Sequence, residues 1–157
     1  MKVKLIMVGK TVQDYLVAGV RSYQQRIIHY IPFDAQLIPD LKNTKNLPEK
    51  LQKKKEGELI LQQLQPSDFV VLLDENGKSF SSVGFAGWMG KQMTGGIKNL
   101  VFVIGGAYGF SESLYQRSNM KMSLSRMTFS HQMVRLIFIE QLYRALTIIK
   151  GEPYHHQ

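Results

Sequence analysis

The apolar run Leu100-Val101-Phe102-Val103-Ile104 passes directly into Gly105-Gly106-Ala107-Tyr108-Gly109-Phe110. A short continuous apolar run ended by glycines describes a strand buried on both faces, followed by a tight turn. Such a strand must be covered above and below, which confines the chain to a layered sheet. Glycines leave no side chain in the way, so a ligand can lie directly on the backbone of the loop. Ligands of open parallel sheets bind beyond the carboxyl ends of strands, and this loop is the first place to expect one. The plainer reading is a turn that ends a strand and binds nothing.

The rest of the chain alternates between strand and helix signals. Lys2 to Val8 reads as a first strand ended by Gly9. Thr11, with Asp14 three positions on, reads as the cap of a helix reaching about Tyr30, stopped by Pro32. Phe33 to Ile38 alternates as a second strand. A helix is expected from about Pro48 to Leu64, with proline in its first turn. Asp68 to Leu73 forms a third apolar strand, and Asn76-Gly77 just beyond it signals a tight turn. Ser81 or Ser82 caps a helix to about Met93, and Leu100 to Ile104 is the fourth strand. Ser111 caps a short helix to Ser118, and Lys121 to Leu124 is a last short strand. The longest helix runs from Ser130 or His131 to Lys150 and is stopped by Gly151 and Pro153. This pattern predicts one α/β domain over residues 1–157, with a mainly parallel five-stranded sheet and helices on both faces.

The last helix is apolar around its circumference, from Met133 and Val134 through Phe138 and Leu142 to Ile148 and Ile149. A helix apolar all round is buried all round. A second copy of the chain is the expected cover for the surplus face, giving a homodimer through this helix. A central helix wrapped within one chain is the alternative.

Lys and Arg number 20 against 12 Asp and Glu, a net charge of +8, which favours phosphate-rich partners. Lysines and arginines expected to face phosphates are Lys42, Lys45, Lys53, Lys54, Arg117, Lys121 and Arg126; a solvated helix face is the other reading of the lysine run. No apolar run approaches the roughly 20 residues of a membrane span. The N-terminal segment is too short in apolar residues for an export signal, so the cytoplasm is expected. The chain has no cysteine, which removes disulfides, thiolate zinc sites and a cysteine nucleophile. None of His29, His131, His155 and His156 shows metal-binding spacing, so no metal is expected. The glycine loop lacks both G-x-G-x-x-G and a following Gly-Lys-Ser/Thr, which turns the argument away from hydride transfer and nucleotide hydrolysis. Glu140 and Arg144 stand four apart, either as a surface ion pair or facing a site.

Five blocks together resemble the SPOUT-class large-subunit ribosomal RNA methyltransferase H family. They are Val8-Gly9-Lys10, Lys55-Glu56-Gly57, Phe102 to Gly106 with Gly109, Ser125 to Gln132, and Glu140 to Ala145 with Pro153-Tyr154-His155. The resemblance implies a C-terminal trefoil knot, a homodimer and S-adenosylmethionine as methyl donor. The implied reaction is methylation of N3 of a pseudouridine in 23S ribosomal RNA. By position it implies cofactor contacts at Leu73, at Gly105, Gly106 and Gly109, and at Leu124, Ser125, Arg126, Met127, Thr128 and Phe129. It implies catalytic roles for Arg144, Tyr154 and His155, with the tail reaching the partner's active site. Ser130 stands where the family often has proline, and serine can cap the following helix instead. The rival functions are a non-catalytic basic module that binds the ribosome, and a knotted methyltransferase acting on tRNA.

Overall fold

The computed structural model describes residues 1–156, and Gln157, the last residue of the tail, lies outside them. The elements follow in the order β1 (Lys2–Val8), α1 (Asp14–Ile27), β2 (Phe33–Ile38), α2 (Glu49–Leu61) and β3 (Phe69–Ser79). Then come α3 (Ser82–Thr94), β4 (Asn99–Ile104), α4 (Glu112–Arg117), β5 (Met120–Ser123) and α5 (Met133–Ile149). The five strands form one sheet in the order β2-β1-β4-β3-β5, and every pairing is parallel.

The continuous apolar runs work as expected. Successive residues of β4 point to opposite faces, and both faces are buried. Leu100, Phe102 and Ile104 join Val20, Met89, Phe138 and Leu142 in the core beneath α1, α3 and α5. Val101 and Val103 join Ile60, Phe110 and Leu114 in the core beneath α2 and α4. Helices therefore cover both faces.

Three local expectations change. The turn expected at Asn76-Gly77 is absent, because β3 runs on to Ser79. Leu73 and Lys78 both pair with Met122, so Asp74 to Gly77 form a bulge within the strand. A Cβ on Gly77 would stand 2.5 Å from the backbone of Lys121 and Met122. Glycine is needed there for close approach between strands, and its φ is not in the left-handed region. Thr11 does not cap α1, which starts at Asp14 without a side-chain cap. Its hydroxyl instead accepts a hydrogen bond from Arg135 Nη1 at 3.1 Å. Finally, α5 packs against both α1 and α3 as well as the sheet. Its apolar circumference is covered within the chain at Phe138, Ile139, Leu142, Ala145 and Leu146, while Leu136, Ile137 and Ile148 stay half-buried and Ile149 is exposed.

The start of α5 is held by Ser130, whose hydroxyl accepts from the Met133 N–H at 3.1 Å and whose carbonyl accepts from Val134 at 3.0 Å. Serine thus performs the capping expected of it, one turn before the regular helix. Arg135 follows and is fully buried. Its guanidinium donates to the carbonyls of Val8 at 2.6 Å, Gly9 at 2.8 Å and His131 at 3.1 Å, as well as to Thr11. Burial pulls its pKa below the ordinary guanidinium value, and the charge of Asp40 opposes that. This fork ties the end of β1 to the start of α5.

Removing the guanidinium leaves those buried carbonyls without donors, each costing about 1–3 kcal/mol. We therefore expect Arg135→Met to lower the unfolding free energy in urea by about 3 kcal/mol or more. Arg135→Lys should fare little better, since one ammonium cannot span the fork. A loss below about 0.5 kcal/mol, the range of an ordinary surface substitution, would remove the staple from the account.

Candidate functional site

A cavity of about 500 Å³ opens at the carboxyl ends of β4 and β5, beside the bulge of β3. That is within the size range of small-molecule sites. Leu73, Asp74 and Glu75 come from the bulge of β3 and the residue before it, and Ile104 to Gly109 come from β4 and its loop. Met122 to Ser125 and Met127 to Ser130 come from β5 and the following loop, while His131 and Val134 come from the start of α5.

Each wall has a local cause. The glycine loop closes on itself, with the Gly109 N–H donating to the Gly106 carbonyl at 3.2 Å. Gly109 has φ +84°, a conformation that favours glycine. Behind the loop lies Glu56 of α2, buried to 7% exposure. A Cβ on Gly106 would stand 2.7 Å from Glu56 Oε1, so the loop backbone and this carboxyl fit only without a side chain between them. Burial pushes the Glu56 carboxyl up from its ordinary value of 4.5, against the lowering effect of a hydrogen bond from Gln52. In the third wall, Ser125 Oγ accepts from the Met127 N–H at 3.0 Å, and Ser123 Oγ donates to the Ser125 carbonyl at 2.9 Å. Met127 is left 76% exposed at the mouth.

Of the residues expected at the cofactor, Leu73, Gly105, Gly106, Gly109, Leu124, Ser125, Met127, Thr128 and Phe129 all line this cavity. Arg126 does not; it is exposed and lies outside the lining between two residues that belong to it. Sequence reasoning passed over Asp74, Glu75, His131 and Val134 as lining residues. The strand end at Leu73 and the helix start at Ser130 were the signals beside them.

A second cluster lies toward the far end of α5. Arg144 Nη2 donates to Glu140 Oε1 at 2.6 Å, and Tyr154 OH donates to the same oxygen at 3.0 Å. Arg144 Nη1 donates to His155 Nδ1 at 3.2 Å. The hydroxyls of Tyr23 and Tyr154 stand 3.2 Å apart, and the Arg144 guanidinium lies over the Tyr154 ring at 4.8 Å. Glu140 holds the guanidinium pKa above its ordinary value. Burial, the hydrogen bond with Tyr23 and the bond that Tyr154 donates to Glu140 raise that of Tyr154. The structure therefore brings Arg144, Tyr154 and His155 together. It does not bring them to the cavity of the same chain: Val134 lines the cavity, and Arg144 lies ten residues on. At about 1.5 Å of rise per residue, that is about 15 Å along the helix. Tyr23, on α1, carried no sequence signal for this cluster.

The family model described as "Predicted SPOUT methyltransferase" matches residues 1–155 of this chain. The chain belongs to the SPOUT methyltransferase family. Among curated relatives it is 61% identical over 157 residues to a Christiangramia forsetii protein named Ribosomal RNA large subunit methyltransferase H. Proteins of the same name from Parabacteroides distasonis and Flavobacterium johnsoniae are 58% and 59% identical. In all three the match covers 100% of both chains. No helix among the described residues is long and apolar enough to cross a membrane.

The raised pKa of Glu56 gives a signed pH dependence. The fold favours the protonated carboxyl, so its stabilisation is present below pH 4.5 and is lost as pH rises beyond it. We expect Glu56→Gln to match the parent protein in denaturant melts below that pH and to exceed it at neutral pH. A parent protein equally stable to the variant at both ends would show that Glu56 carries no such penalty.

Proposed function

We propose that this chain, a single SPOUT domain, methylates N3 of a pseudouridine in the RNA of the large ribosomal subunit. The methyl donor in this reading is S-adenosylmethionine. The observation that carries the proposal is a cavity walled by the loops after β4 and β5 and by the bulge of β3, in a chain alike over its whole length to relatives bearing that methyltransferase name. The rival readings, a non-catalytic module and a tRNA enzyme, have no comparable support. The C-terminal part forms the trefoil knot that the resemblance implies.

The cavity suits the donor chemically. Ile104, Met122 and Val134 offer apolar surface, the glycine loop offers open backbone, and Asp74 and Glu75 offer negative charge. S-adenosylmethionine supplies an already activated methyl group, so positioning is the main demand on the protein. Leu73, the glycine loop, and Leu124, Ser125, Met127, Thr128 and Phe129 would hold it.

The acceptor nitrogen must lose its proton at or before transfer. Arg144 favours the resulting anion, and Glu140 fixes the guanidinium in place. Tyr154 keeps its proton and serves as a donor, because burial and its neighbours raise its pKa. A guanidinium only donates, so His155 Nδ1 presents a lone pair to Arg144. That lone pair is engaged by Arg144, so His155 takes up the proton only as this bond is given up.

The distance between cavity and cluster supports a homodimer in which each tail completes the other copy's site. Val12, 64% exposed and hydrogen-bonded through its N–H to Gln132, adds uncovered apolar surface beside the start of α5, and Met127 adds more. RNA phosphates would meet Lys42, Lys45, Lys53, Lys54, Lys121 and Arg126. Arg117 contributes less, being drawn onto the carbonyls of Gln65 and Asp68.

Calorimetric titration with S-adenosylmethionine should show binding, and its absence would sink the enzymatic reading. In single-turnover assays on ribosomal RNA, Arg144→Ala and His155→Ala should each slow methylation about a hundredfold or more. Wild-type rates for both would reject the assigned roles. Mixing Arg144→Ala with a Gly106→Val protein, each inactive alone, should restore part of the activity if sites are shared between copies. No recovery after subunit exchange would place each site within one chain.

A further inference from the structure

Charge is distributed unevenly between the surface of this protein and its cavity. The chain carries a net +8, yet among the described residues no lysine or arginine lines the cavity. Its charged lining consists of Asp74 and Glu75, with His131 and Tyr108 as further titratable side chains. Both carboxylates sit on the bulge where β3 departs from regular pairing with β5.

Asp74 is the better fixed of the two. It is half-buried, whereas Glu75 is exposed. Asp74 Oδ1 accepts from the Asn76 N–H at 2.8 Å, and Oδ2 accepts from the hydroxyl of Tyr115. Burial and the neighbouring carboxylate push the Tyr115 phenol up to about 12, so it remains a donor across the physiological range. Neither bond neutralises the carboxylate, since both partners are uncharged. A carboxylate held in a partly desolvated wall without a cation favours a cationic ligand.

We propose that Asp74 makes the cavity select the charged methyl donor over its spent form. This rests on the methyltransferase reading above. When the methyl group leaves, the carbon–sulfur bond breaks with its electron pair remaining on sulfur. The sulfonium becomes a neutral thioether, and the rest of the molecule keeps its charges. Donor and product therefore differ by one positive charge and one methyl group, and a fixed anion discriminates between them. Transfer itself then weakens the hold on the product, which eases exchange for fresh donor.

Calorimetry with S-adenosylmethionine and S-adenosylhomocysteine on the full chain tests this without any turnover. Asp74→Asn preserves shape and removes the charge; its amide oxygen still accepts from the Asn76 N–H, and its NH2 donates to the Tyr115 hydroxyl, which turns to accept. It should weaken donor binding by about tenfold and product binding by less than about twofold. Asp74→Glu should keep most of the preference. In the unaltered protein, the donor-to-product affinity ratio should fall as salt is raised. Equal losses for both ligands in Asp74→Asn, or a ratio indifferent to salt, would overturn the proposal. Failure of the unaltered chain to bind either ligand would instead overturn the methyltransferase reading beneath it.

Discussion

The buried fork of Arg135 is the interaction on which the rest of the arrangement depends. A guanidinium with no exposure normally seeks a carboxylate, because an unpaired buried charge is costly. Here the charge is met by three carbonyls and a hydroxyl. Two of those carbonyls, of Val8 and Gly9, end the first strand, and the third belongs to His131 on the cavity wall. The charge is tolerated only while both segments are in place. One side chain thus makes the beginning of the sheet and the last helix conditional on each other, across more than a hundred residues of sequence.

From that anchor α5 runs as a single element with a different task at each end. Its first turn closes the cavity, its middle packs on the sheet between α1 and α3, and its last turns gather Arg144 with the tail. The tail is not a loose end. Tyr154 stacks edge-on against Tyr143 at 4.7 Å and donates to Glu140, while Tyr30 donates to Glu152. Order there is built from aromatic packing and hydrogen bonds to α1 and α5, and these hold Arg144, Tyr154 and His155 in one geometry.

Much of this was legible in the sequence because the governing signals are local. Apolar runs such as Leu100 to Ile104 can lie only in a sheet covered on both faces, and Ser81, Ser111 and Ser130 sit where helix starts need acceptors. The glycine loop followed from the rule of strand ends, and Leu73 from the resemblance. What was not legible depends on partners distant in the chain. Thr11 looks like a cap until Arg135 claims its hydroxyl. Gly77 looks like a turn until Lys121 and Met122 press against it. Tyr23 meets Tyr154 across 131 positions, a contact no spacing rule reaches. The resemblance reached Arg144, Tyr154 and His155, and placed Arg126 among cofactor contacts, whereas the fold leaves that side chain outside the lining.

The Arg135 staple is a cation neutralised by dipoles and sealed from solvent. Mobile ions weaken attractions between exposed charges within about 10 Å of water-filled space at moderate salt, but they do not enter a dry interior. The surface lysines and this internal arginine therefore answer to different variables. Ionic strength governs how firmly a polyanion is held on the outside, and the joint between β1 and α5 is indifferent to it. Association and architecture are decoupled in a protein with a net charge of +8.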